Sequence, residues 1–132
     1  MKRIVSLILV VVMLSAIGFV MPVVAAEEVD YQNKICTIEN ENGFLSLSSD
    51  EKGKGLTVSE NATQWRFKGF LDKSLCFIGD NDLAADVNGA SQKEGVTIIQ
   101  WTNSGALNQR WIFEEAEGGY YIKSAFSNLY VT

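Results

Sequence analysis

The chain has 132 residues, 11 Gly, one Pro, two Cys and no His, with 11 basic against 16 acidic side chains. Without His, a Ser-His-Asp or Cys-His catalytic centre is excluded, and so is a His-ligated metal site. The acidic balance of −5 argues against nucleic acid or an anionic membrane as partner.

The first 26 residues form an export signal. Met1-Lys2-Arg3 is a short basic start, Ile4 to Met21 carries no charge, and Pro22 breaks the run. Val23-Val24-Ala25-Ala26 then supplies small residues for cleavage after Ala26, the three-part pattern of a secretory signal peptide. The rival reading is a retained anchor, since about 18 apolar residues just suffice to span a bilayer. Pro22 and the small-residue site favour cleavage. The expected mature protein is therefore secreted, with no membrane partner after signal cleavage. Both basic residues of the segment leave with it, so the remainder carries a net −7.

From Tyr31 onward the chain reads as short alternating runs separated by Gly, Asn, Asp and Ser. Ile35 to Ile38, Phe44 to Leu47, Leu56 to Val58 and Trp65 to Phe67 each predict a strand. The spacers between them, such as Glu41-Asn42-Gly43, are turn chemistry. No stretch sustains helical apolar spacing. The chain is expected to be all-β.

The same order then recurs. Leu75 to Ile78 echoes Ile35 to Ile38 at a shift of 40, and Ala85-Asp86-Val87 echoes Leu45-Ser46-Leu47 at the same shift. Val96 to Trp101 takes the third-strand place, and Trp111-Ile112-Phe113 echoes Trp65-Arg66-Phe67 at a shift of 46. A third copy opens with Tyr120 to Lys123 and Asn128 to Val131. The repeats span about 31–71, 72–117 and, in part, 118–132. Propeller blades have a similar period, but so few could not close a ring. A barrel of three repeats fits better.

These residues carry a resemblance. Ala85-Asp86-Val87-Asn88-Gly89, then Gly95 to Gln100-Trp101, then Asn108-Gln109-Arg110-Trp111, is similar to one repeat of the ricin-B-type β-trefoil lectins. That family is known by its Gln-x-Trp repeat, here Gln109-Arg110-Trp111. The resemblance implies a β-trefoil, residues 27–132, that binds carbohydrate without catalysis or cofactor. It places Trp101 as the aromatic that stacks on a sugar ring and Asp86 as the carboxylate that accepts sugar hydroxyls. Asn108 would complete the hydroxyl contacts, and Gln109 would brace the loop through backbone hydrogen bonds. The physical logic is a flat apolar platform for C–H faces beside a charged acceptor for the hydroxyl rim.

Plainer readings stand beside these. Asp86 to Gly89 could be a turn, and Trp101 could be core, although alternation along the strand points it away from Ile98. Trp65 and Trp111 both precede x-Phe and read as core. One departure is Ile99, where the family often has a Gln two residues before the stacking aromatic. Repeat one lacks the constellation, with Ser46 in place of the carboxylate and Thr63-Gln64-Trp65 in place of Gln-x-Trp. Repeat three reaches Thr132 at its carboxylate position. At most one complete sugar site is therefore expected.

Cys36 and Cys76 fall at corresponding places in two first strands, and two buried free thiols are favoured over a bridge. Asp80-Asn81-Asp82 lacks calcium-loop spacing and reads as a polar turn, and no metal is expected. Asn61-Ala62-Thr63 is a glycosylation sequon, relevant only in a eukaryotic secretory pathway. Glu114-Glu115 reads as a solvated loop. The alternative function is a trefoil for protein contact, of inhibitor or toxin-subunit type. The partial third repeat is expected to leave strand edges unpaired, pointing to a fused enzyme domain or self-association beyond Thr132.

Overall fold

The computed structural model describes residues 32–132 together with the backbone of Ser6–Leu7. The rest of the proposed export signal lies outside the described residues. Among the described residues there is no α-helix, and there are eleven strands and three short 3-10 turns. Their order is β1 (Ser6–Leu7), β2 (Ile35–Cys36), β3 (Ile38–Asn40), β4 (Gly43–Ser46), β5 (Thr57–Ser59) and β6 (Trp65–Gly69). They continue with β7 (Leu75–Ile78), β8 (Leu83–Val87), β9 (Ile98–Thr102), β10 (Trp111–Ala116) and β11 (Gly119–Ser124).

The pairing follows the repeats. First and fourth strands associate along the barrel wall: β2 with β6, β6 with β7, β7 with β10, and β10 with β11, all antiparallel. Second and third strands form hairpins, β4 with β5 and β8 with β9. The third repeat supplies β11 and then a single bridge from Tyr130 to Lys123, in place of the strand expected over Asn128 to Val131.

The aromatic residues that recur between repeats make the core. Trp65 and Trp111 are buried, and each indole N–H donates to the carbonyl of the second strand in its own repeat, Leu45 O at 2.9 Å and Ala85 O at 3.2 Å. Phe77 stands between them, edge-on to Trp65 at 5.1 Å and tilted against Trp111 at 5.8 Å. Phe113 joins from β10, 5.5 Å from Phe67. Aromatic edge-to-face contacts of this kind add to the area they bury.

The pairing corrects one sequence expectation. Cys36 lies opposite Trp65, but the residue opposite Trp111 is Leu75, not Cys76. The first strands therefore correspond at a shift of 39, while the second strands keep the shift of 40, because the β7–β8 turn holds one extra residue. A one-residue slip turns a strand's side chains to the other face. Cys36 and Ile38 accordingly join the main core with Leu75 and Phe77, whereas Cys76 and Ile78 pack on the opposite side against Ala84 and Phe70. Both thiols are buried and unbridged.

A second correction concerns Glu114 and Glu115. They lie within β10, opposite Tyr121 and Tyr120, rather than in a loop. Glu114 accepts hydrogen bonds from Lys123 Nζ and from the Tyr130 hydroxyl at 2.8 Å, so it ties the third repeat's last residues to the barrel wall.

Beside residues 127–132 lies a groove of about 750 Å³, with Leu45, Val87 and Trp111 among its lining residues and Leu56, Val96 and Val131 along its sides. Beside it, the backbone of β1 pairs antiparallel with β3, Leu7 opposite Ile38 and Ser6 opposite Glu39.

Candidate functional site

The β8–β9 hairpin places the proposed sugar residues. Its register sets Asp86 opposite Ile99 and Ala84 opposite Trp101. Directly opposed residues share a face, so Asp86, Ala84, Ile99 and Trp101 lie on the face turned away from the main core, where Trp101 is exposed and Ala84 is buried against Cys76, Ile78 and Phe70, while Ala85, Val87 and Ile98 point to the main core. Asp86 sits in the strand itself; the Asn-Gly that follows it makes the 3-10 turn Asn88–Ala90.

Trp101 is 46% exposed, which leaves its ring available to solvent. Asp86 is only 6% exposed, and each of its carboxylate oxygens is held by an amide. Asn108 Nδ2 donates to Oδ1 at 3.0 Å, and Gln109 Nε2 donates to Oδ2 at 2.8 Å. Burial pushes the Asp86 carboxyl above its ordinary value of 3.8, and the Gln109 and Asn108 amides pull it part of the way back. A carboxylate accepts through several lone pairs, so oxygens already engaged once can still receive hydroxyls.

Asn108 and Gln109 reach Asp86 from the 3-10 turn Leu107–Gln109 that leads into β10. Gln109 is fully enclosed and uses both ends of its amide. Its Nε2 also donates to Thr102 O at 3.0 Å, and its Oε1 accepts from the backbone N–H groups of Ser104 at 2.9 Å and Gly105 at 3.3 Å. Gln109 therefore fixes the 102–109 loop as well as the carboxylate. The structure thus brings Asp86, Asn108 and Gln109 into one network, with Trp101 diagonal to Asp86 on the same face.

Repeat one keeps the bracing but not the charge. Ser46 Oγ bonds to Asn61 O, and Thr63 Oγ1 accepts from Leu47 N–H at 2.9 Å. No carboxylate or exposed aromatic takes part in that network.

Two contributions were not read from the sequence. Gln100, beside Trp101, is fully buried and holds the first repeat's 48–51 loop rather than facing the sugar side. Gly53 and Gly55, which follow that loop, lie against β9. The Gln-Trp dipeptide was visible in the sequence, but nothing local says that its Gln reaches across some fifty positions.

Among the described residues, no group of three or more metal-ligating side chains comes together.

A family model described as ricin-type β-trefoil lectin domain-like matches residues 61–132, which spans the end of repeat one, all of repeat two and the start of repeat three. A search of curated proteins found no match, and a search of solved structures found none. The matched stretch is more than half of the chain and includes the whole Asp86–Trp101–Asn108–Gln109 constellation. With the all-β repeat architecture around it, this chain belongs to the ricin-type β-trefoil lectin domain-like family.

Proposed function

We propose that the protein is an exported, non-catalytic carbohydrate-binding module with one sugar site in its second repeat. The observation that carries this is the Asp86 carboxylate, fixed by Asn108 and Gln109, on the same face of the β8–β9 hairpin as the exposed indole of Trp101. A pyranose stacked on Trp101 would direct hydroxyls to Asp86 and Asn108, while Gln109 holds the geometry from behind. A single shallow site of this kind binds in about the millimolar range, near −4 kcal/mol. Useful affinity then comes from multivalency, through a fused domain or self-association. The open apolar groove between Leu56 and Val131 is the surface that would support self-association.

The test is a glycan array followed by titration with wild type and Trp101→Ala. Loss of binding in the variant, with an unchanged melting temperature, supports the proposal. Equal binding by both proteins removes it. A second reading, a protein-contact trefoil with a vestigial sugar site, draws on the near-complete burial of Asp86 and on Ile99 beside it, 7% exposed. A stoichiometric protein partner whose binding ignores Asp86 and Trp101 would favour that reading.

A further inference from the structure

The backbone of Ser6–Leu7 sits on β3 in a register that the other two repeats explain. Each first strand has one residue that pairs twice, with a fourth strand and with the second strand of its own repeat. In repeat two that residue is Ile78, opposite Arg66 and Ala84. In repeat three it is Lys123, opposite Ile112 and Tyr130. In repeat one it is Glu39, opposite Phe44 on one edge of β3 and Ser6 on the other. Ser6 thus stands where Arg66 and Ile112 stand.

The next pair along repeats the correspondence. Phe77 lies opposite Phe67, Ile122 opposite Phe113, and Ile38 opposite Leu7. Ile38, Phe77 and Ile122 are all buried in the main core, where Phe67 is buried with them and Phe113 packs against them. Leu7 therefore holds the register position that the other two fourth strands give to a core aromatic, and a slip of one residue would put Ser6 there instead. The sequence fits: Val5-Ser6-Leu7 has the apolar-x-apolar order of Trp65-Arg66-Phe67 and Trp111-Ile112-Phe113.

The neighbours agree as well. A fourth strand joins the first strand of its own repeat to the first strand of the next, as β6 joins β2 to β7 and β10 joins β7 to β11. β1 pairs with β3 and also lies against β11. It has the two neighbours that a fourth strand of the third repeat needs. An edge of backbone N–H and C=O groups recruits an extended segment of this kind by main-chain hydrogen bonding, while alternate side-chain positions set which segment fits.

We propose that the β3 edge facing β11 is a strand-binding slot, and that in the unprocessed chain its occupant is the chain's own leader, with Ser6–Leu7 serving as the fourth strand of the third repeat. One apolar run then has two uses that exclude each other: docked on β3 it cannot span or enter a membrane. Cleavage after Ala26 would remove the strand and open the edge. The inference makes no use of the sugar site.

The experiment uses all 132 residues, synthesised without membranes so that the leader stays attached. Ser6→Cys combined with Glu39→Cys places two thiols on directly opposed residues, whose Cα atoms stand about 4.5–5.5 Å apart, within disulfide range. Their bond should form within one chain at least roughly tenfold faster than that of Ser6→Cys with the exposed Lys52→Cys. Equal rates overturn the proposal, and so does a bond that joins two copies. Single charges provide the second measurement. Leu7→Lys should speed amide exchange of β3 roughly tenfold, read by mass spectrometry, while Ser6→Lys leaves it unchanged. Unfolding of Leu7→Lys beside a folded Ser6→Lys shows the same dependence on face and supports the slot. Equal exchange in both variants, fast or slow, overturns it.

Discussion

Gln109 Nε2 lies 2.8 Å from Asp86 Oδ2 and 3.0 Å from Thr102 O, so one buried amide joins the second strand of the repeat, the third strand and the turn before the fourth. The residue that marks the Gln-x-Trp signature is thus the tie between the carboxylate and its loop. Its neighbour two positions on, Trp111, secures the same second strand from inside through Ala85 O.

This network separates the charge of Asp86 from its shape. Asp86→Asn retains the size of the side chain but loses the anionic acceptor, and sugar binding should fall at least roughly tenfold while the fold stays intact. Asp86→Ala leaves the Gln109 and Asn108 amides short of an acceptor and should in addition cost about 1–3 kcal/mol. Calorimetric titration beside thermal melting of both variants distinguishes the two effects.

Acidification should switch the site off early. Because burial raises the Asp86 carboxyl above 3.8, its proton returns at a higher pH than for an ordinary aspartate. Sugar affinity should fall through that raised value. The stability effect has the opposite sign. The folded state holds the proton at pH values where the unfolded state has lost it, so the group's contribution to stability falls as pH rises from the ordinary value through the raised one. Asp86→Asn should therefore gain stability relative to wild type over that interval. Denaturant titrations of the two proteins at a series of pH values measure this difference, and a constant difference would contradict it.

The core should respond in proportion to aromatic volume. Trp65→Ala or Trp111→Ala removes a fully buried indole and its hydrogen bond to a second-strand carbonyl, and each should cost about 3–5 kcal/mol. Trp101→Ala should change stability by less than about 1 kcal/mol, since that ring is half exposed. Urea midpoints for the three variants test the contrast.

The two thiols should be silent in the folded protein. Burial pushes the Cys36 thiol up to about 11 and raises Cys76 as well, so neither forms thiolate at neutral pH. A thiol reagent should label neither cysteine in native conditions and both in denaturant. Fast labelling of one without denaturant would show that its strand opens locally.

The repeated Trp-x-Phe made the fourth strands legible in the sequence, because the same residues must fill the same part of a pseudo-symmetric core. The order Asp86, Trp101, Asn108, Gln109 was legible for a related reason: a hairpin and a tight turn bring them together within one repeat. Two kinds of information were not local. The slip that turns Cys76 away from the main core depends on one extra residue in the β7–β8 turn, and equal-looking LCFI and ICTI segments conceal it. Likewise the reach of Gln100 to Ser48, Ser49 and Glu51 joins two repeats, and only the fold places those segments side by side. Glu114 reads as loop because charge in a sequence suggests solvent, whereas a strand position within reach of Lys123 Nζ and the Tyr130 hydroxyl holds it equally well.

The three tryptophans are disposed in a way that gives the molecule an optical handle. Trp65 and Trp111 are sealed in the core with their indole N–H groups bonded to carbonyls, while Trp101 stands in solvent. The long-wavelength part of the emission, and nearly all of the emission that iodide or acrylamide can quench, therefore comes from one ring. That ring is the one on which a ligand would stack. Under the proposed function, binding at the second repeat would be followed by native fluorescence in the unlabelled protein, with the two buried indoles serving as an internal reference for folding.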